Sequence, residues 1–97
     1  MSVVFALATP PAKSAICVFR VTGNGCLGAL SKLLNGSEYN IGVFHVRSFF
    51  GENGLIDKAG LVVFKGPRSY TGEDSFEVYA HGGLGVMASF IKAFKGV

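Results

Sequence analysis

The sequence predicts an α+β fold: a mixed five-stranded sheet with two helices packed on it. Short runs rich in valine, isoleucine and phenylalanine, punctuated by glycine, proline and asparagine, supply five strands. Two further stretches space their apolar residues three and four apart, the signature of a helix with one buried face. Their order is strand, strand, helix, strand, strand, strand, helix, which is that of a layered α+β domain. A length of 97 residues fits one domain spanning 1–97, and no internal repeat, linker or low-complexity tract divides it.

The first strand runs from Val3 to Ala8 and is stopped by Pro10-Pro11, a rigid connector. The second, from Ser14 to Thr22, contains Ala15-Ile16-Cys17-Val18-Phe19, apolar at every position. A run without alternation is expected in a central strand covered on both faces. Between Asn24 and Asn35, Leu27, Leu30, Leu33 and Leu34 mark a short helix, with Asn24 as its N-cap and Asn35-Gly36 as its stop. Val43 to Phe50 and Leu61 to Lys65 read as strands that pair antiparallel, the first ending in the hairpin-like tetrad Gly51-Glu52-Asn53-Gly54. Ser75 to His81 is the fifth strand, and after Gly82-Gly83 the residues Leu84, Met87, Ala88, Ile91 and Phe94 outline a second amphipathic helix.

Composition narrows the function classes. Hydrophobic residues make up 49% and charged residues 15%, against roughly 25% charged in an average soluble domain. A partner surface accounts for the excess. No apolar run approaches the roughly 18 residues of a membrane-spanning helix, and the N-terminus lacks the basic segment of a secretory signal, so a cytoplasmic protein is expected. The formal net charge of +3 comes from nine basic residues scattered along the chain rather than gathered into a nucleic-acid patch. Cys17 and Cys26 lack both a CxxC spacing and companion histidines, so they read as reduced packing residues and no metal site is expected. Neither GxxxxGK[ST] nor another nucleotide fingerprint occurs, which places any GTP site outside these residues.

The polar residues that interrupt this apolar chain are the candidates for binding. On Ser75 to His81 the side chains alternate, so Phe76, Val78 and Ala80 face the core while Glu77, Tyr79 and His81 face the other way. Arg20 sits at the end of a strand that reads as central, and a guanidinium there needs a partner. Glu77 is the candidate, directly or through a ligand. A carboxylate can accept two parallel N–H bonds from an amidine-like heterocycle edge, such as that of a pterin. Tyr70 or Tyr79 can wall a flat ring, although both also suit an ordinary rim position. His81, ahead of two glycines and a helix, is a weaker candidate for an acid, base or anion contact; with no nucleophile or metal partner near it in sequence, a capping or turn-stabilising role is the favoured reading. Gly66-Pro67 and Thr71-Gly72-Glu73-Asp74 read as a well-made surface loop.

Three segments in order, Ala8-Thr9-Pro10-Pro11, Arg20-Val21-Thr22-Gly23 and Gly66 through Gly83, resemble the N-terminal domain of the MnmE (TrmE) family of tRNA-modifying GTPases. The runs Tyr70-Thr71-Gly72-Glu73-Asp74 and His81-Gly82-Gly83 carry most of that specificity. The resemblance implies the tetrahydrofolate-binding fold of aminomethyltransferases, homodimerisation, and a bound reduced folate such as 5-formyltetrahydrofolate that supplies a one-carbon unit. It implies Arg20 and Glu77 as folate contacts, the two positions already singled out as polar intrusions. It further implies a helical domain and a potassium-dependent GTPase domain with GTP and magnesium elsewhere in the full-length protein. There, an MnmG-type flavoprotein partner and the wobble uridine (U34) of tRNA, modified at carbon 5, complete the expected setting. The family's domain continues past the position matched by Val97 and carries there another basic folate contact, and Ala12-Lys13-Ser14-Ala15 replaces a more glycine-rich family segment. No catalytic activity is expected of these 97 residues alone. The alternative reading is a dimerisation scaffold without folate binding.

Overall fold

The computed structural model describes residues 3–7, 16–66 and 72–96. The elements follow the expected order: β1 (Val3–Leu7), β2 (Ile16–Gly23), α1 (Cys26–Leu33), β3 (His45–Gly51), β4 (Gly54–Phe64), β5 (Ser75–His81) and α2 (Leu84–Lys95). The strands form one five-stranded sheet in the order β1-β2-β5-β4-β3, giving the expected α+β class.

The sheet is antiparallel at every pairing rather than mixed. A parallel neighbour pair needs a crossover connection. Here β5 inserts between β2 and β4, so the helical connection after β2 leads to β3 at the far edge and joins no two neighbours. The β3–β4 pair is the expected hairpin, with Gly51 opposite Gly54 across Glu52-Asn53 and Gly54 at φ 105°, a conformation that favours glycine. β4 begins at Gly54, earlier than expected, because its first turn of pairing uses residues as polar as Asp57 and Lys58.

Both helices lie against one face of the sheet. β2 alternates, with Cys17, Phe19 and Val21 buried while Ile16 is 55% exposed and Val18 half-buried. The expectation that this strand is covered on both faces is therefore corrected. Its apolar run is continuous because the uncovered face also carries apolar residues, which hides the period of two.

The core centres on Phe90 of α2, whose ring lies 5.6 Å from Phe19, 5.5 Å from Phe49 and 5.7 Å from Phe94. Tilted and edge-on arrangements of this kind favour aromatic quadrupoles and add about 0.5–1.5 kcal/mol per pair to the area buried. The buried stripe of α2 is Met87, Phe90 and Phe94. Leu84 and Ala88, expected on that stripe, are exposed, because the helix is turned to place Phe90 inward. In α1, Cys26, Ala29, Leu30 and Leu33 are buried. The cap is Gly25, at φ 87°, rather than Asn24, and no side chain satisfies the first turn. The stop is the expected one: Asn35 and Gly36 take φ 51° and 80°, and Gly36 N–H donates back to Ser31 O at 2.9 Å.

Candidate functional site

The register of β2 and β5 sets Arg20 directly opposite Glu77 on the face of the sheet away from the helices. Arg20 Nε donates to Glu77 Oε2 at 2.9 Å, and Nη2 lies 2.8 Å from the same oxygen. The other oxygen, Oε1, accepts the Tyr79 hydroxyl at 2.6 Å, two residues along on the same strand face. The guanidinium side chain is 43% exposed and the carboxylate 15%. Burial of Glu77 is thus tolerated because both oxygens are bonded. The Tyr79 phenol is pushed up from its ordinary pKa, first by its bond to the Glu77 carboxylate and then by burial. Of a carboxylate's roughly four lone-pair positions, three are taken here, leaving one on Oε1 for an incoming donor. A ligand offering two parallel N–H groups to Glu77 must displace one of these contacts.

The cross-strand neighbours of this triad on β1 and β4 carry no polar side chain. Ala6 of β1 and Val62 of β4 stand beside Arg20 and Glu77 in the register, and Gly60 stands beside Tyr79. A Cβ on Gly60 would run into the ring of Phe44 and would come within 3.2 Å of Tyr79 Cβ, so Gly60 faces the same open side. The rings of Phe44 and Tyr79 are 5.8 Å apart. Ile16, Val46 and Phe44 leave this face strongly exposed, at 55%, 50% and 58%.

His81 stands apart from the triad at the end of β5. Asp57 Oδ2 accepts its backbone N–H at 3.0 Å, and both carboxylate oxygens lie 2.9 Å from ring Nδ1. The histidine side chain is 73% exposed while Asp57 is largely buried, so Asp57 anchors the strand end and orients the ring. Asp74, expected in a surface loop, is a clasp. Its carbonyl accepts Gly23 N–H at 3.2 Å, the Thr22 hydroxyl at 3.3 Å and the Cys26 thiol at 3.2 Å, and its Oδ1 accepts Gly66 N–H at 3.0 Å. Gly66 has to be glycine there, since a Cβ would lie 2.6 Å from Gly72 O. Cys17 and Cys26 are buried and free. Burial pushes the Cys26 thiol up to about 11, helped by the negative charges of Asp74 and Glu73.

Of the sequence-predicted site residues, Arg20, Glu77 and Tyr79 are brought together, His81 is placed at the strand's far end, and Tyr70, like Ala8-Thr9-Pro10-Pro11, lies outside the described residues. Asp57 and Phe44 are the neighbours that sequence reasoning missed. Asp57 follows a turn and carries no local signal. Phe44 reads as the second residue of a strand, yet lies just before β3. A separate groove of about 910 Å³ opens on the helical side, between the C-terminal end of α1, the length of α2 and the β3–β4 turn; Arg20, Glu77, Tyr79 and His81 do not line it.

Comparison with known proteins gives one consistent kinship. Residues 3–97 match the family described as the N-terminus of the GTP-binding protein TrmE. A tRNA modification GTPase MnmE from Fervidobacterium nodosum is 42% identical over 87 residues, covering 84% of this chain and 19% of the relative. Its counterpart from Phenylobacterium zucineum is 36% identical over 94 residues, 97% of this chain and 21% of the relative, and that from Helicobacter pylori strain HPAG1 is 38% identical over 77 residues, 79% and 17%. The chain thus spans about a fifth of the length of the curated relatives it matches. It belongs to the family of TrmE N-terminal domains.

Proposed function

We propose that this domain binds a reduced folate and self-associates, serving a tRNA-modifying GTPase. The observation that carries the reading is the Arg20–Glu77–Tyr79 triad on the sheet face that, among the described residues, no helix covers. Glu77 is a partly buried carboxylate flanked by apolar and aromatic surface; its open acceptor position takes one N–H of a pterin edge, and the second N–H replaces the Tyr79 hydroxyl. Arg20 holds that carboxylate in place. The folate, 5-formyltetrahydrofolate or a relative, supplies a one-carbon unit when bound; these residues bind and orient it.

The same exposed face, with Ile16, Phe44 and Val46 uncovered, supports association with a second copy of the domain. The tRNA-modification context comes from the relatives' names. An MnmG-type flavoprotein, the wobble uridine of tRNA as substrate, and GTP, potassium and magnesium in a GTPase domain belong to the full-length protein, in the cytoplasm. No reaction is assigned to these 97 residues themselves.

One observation favours the alternative of a dimerisation scaffold without folate: Glu77 is already paired on both oxygens. Sedimentation velocity with and without 5-formyltetrahydrofolate separates the two. A dimer that takes up the folate supports the first reading, a dimer that ignores it at millimolar ligand supports the scaffold, and a monomer that ignores it removes both.

A further inference from the structure

We propose that Asn24-Gly25 is a self-modification site: Asn24 cyclises onto the Gly25 nitrogen and reopens as isoaspartate, and the lengthened backbone releases Cys26 from the clasp at Asp74. Asn-Gly is the dipeptide in which this chemistry runs most readily, because glycine has no side chain to shield the attacking nitrogen. The chain holds three such pairs, at Asn24, Asn35 and Asn53, and all three are exposed. Their amides separate them. Gly36 N–H donates to Ser31 O at 2.9 Å, and Gly54 stands opposite Gly51 in the β3–β4 ladder. Among the described residues no acceptor holds the Gly25 N–H, and Asn24 lies in the turn before α1 between glycines at φ 124° and 87°.

The reaction needs only water. The Gly25 nitrogen, its proton taken by solvent base, bonds to Asn24 Cγ, and the Cγ–Nδ2 bond breaks to release ammonia. Water then opens the succinimide. Cleavage at Cγ yields aspartate, and cleavage at the former main-chain carbonyl yields isoaspartate, whose backbone runs through Cβ and Cγ and is one carbon longer. That carbon enters a span held on both sides. Gly23 N–H donates to Asp74 O at 3.2 Å and the Cys26 thiol donates to the same oxygen at 3.2 Å, so Asn24 and Gly25 bridge two contacts on one atom. Gly25 O in turn accepts Ala29 N–H at 3.1 Å and so ties the span to the first turn of α1. Gly23 is kept in place by the pairing of β2 with β1 and β5, so a longer span shifts Cys26 off the shared carbonyl.

The test is incubation of the folded protein in mildly alkaline buffer, with peptide mapping by mass spectrometry that separates isoaspartate from aspartate, followed by iodoacetamide labelling. The amide of Asn24 is expected to be lost before those of Asn35 and Asn53, whereas in urea all three are lost at similar rates. In protein carrying isoaspartate at 24, Cys26 is expected to label about 2- to 12-fold faster, the loss of one hydrogen bond, with Cys17 still protected. Asn24→Ser cannot cyclise and is expected to keep Cys26 protected through the same incubation. Freshly prepared Asn24→Asp, which brings the charge without the added carbon, is expected to keep it protected too. An Asn24 amide that outlasts either of the others in the folded protein overturns the site. Cys26 that labels no faster in the converted protein, or equally fast in Asn24→Asp, overturns the release of the clasp.

Discussion

Arg20 holds Glu77 through a single oxygen: Nε at 2.9 Å and Nη2 at 2.8 Å both meet Oε2, while Oε1 is left to the Tyr79 hydroxyl. The two halves of the pair come from strands that are distant in sequence and are brought together by the antiparallel register of β2 and β5. A polar cluster on the sheet face away from the helices is thereby satisfied without a ligand, yet keeps one acceptor position for one.

Replacing Arg20 by Met removes both contacts to Oε2 and keeps the stem of the side chain. Because the guanidinium is 43% exposed, solvent screens the pair. The expected cost is about 0.5–1 kcal/mol, a fall of about 2–8 °C in Tm for a domain of this size, measured by thermal unfolding. A fall well beyond that range would mean that the carboxylate is more deeply desolvated than its 15% exposure implies.

The Tyr79 phenol ionises above the ordinary tyrosine value of roughly 10, chiefly because its proton is bonded to Glu77. A group whose folded-state pKa is raised contributes stability that is complete below its unfolded pKa and is lost as pH rises through the folded one. The loss therefore belongs to the alkaline limb above about pH 10. Ultraviolet difference titration against Tyr79→Phe isolates this phenol from the other tyrosines. Glu77→Gln is expected to lower its midpoint, and an unchanged midpoint would deny that the carboxylate is the cause.

Cys26 is fully buried with its thiol donating to Asp74 O at 3.2 Å and its pKa pushed up to about 11. Reactivity needs the thiolate and access to it. In the native protein at pH 8, Cys26 and the equally buried Cys17 are expected to resist iodoacetamide, with both alkylated at once in urea. Rapid native labelling of Cys26, read by mass spectrometry, would show that the clasp at Asp74 opens.

Phe90 touches Phe19, Phe49 and Phe94, and so joins α2 to β2 and β3. Phe90→Ala leaves a cavity at the centre of the core and is expected to cost about 3–5 kcal/mol, measured by urea unfolding. A cost below about 1 kcal/mol would place the centre of the core elsewhere.

Local chemistry made much of this legible in advance. The hairpin at Glu52-Asn53, the helix stop at Asn35-Gly36 and the alternation of Phe76, Val78 and Ala80 against Glu77 and Tyr79 are all written in short-range signals, and the structure keeps them. Arg20 and Glu77 were readable as a pair because each breaks an apolar pattern. What escaped was non-local. The open face of β2 carries Ile16 and Val18, so one-sided burial looked two-sided, and an antiparallel sheet with β5 inserted between β2 and β4 looked mixed. Nothing local singles out Phe90, because several apolar residues of α2 fit a helical stripe and only packing selects among them. Asp57 and Phe44 acquire meaning solely from residues on other strands, His81 and Gly60.

The most direct test of the central claim is calorimetric titration of 5-formyltetrahydrofolate into the wild type and Glu77→Gln. Glutamine keeps the size of the side chain and one oxygen for Arg20 or Tyr79, so the fold is retained while the charged acceptor is lost. The expected result is saturable binding by the wild type that Glu77→Gln abolishes or weakens by at least about 10-fold, the loss of one charge-assisted hydrogen bond. Equal binding by the two proteins would contradict the assignment of Glu77 as the recognition group.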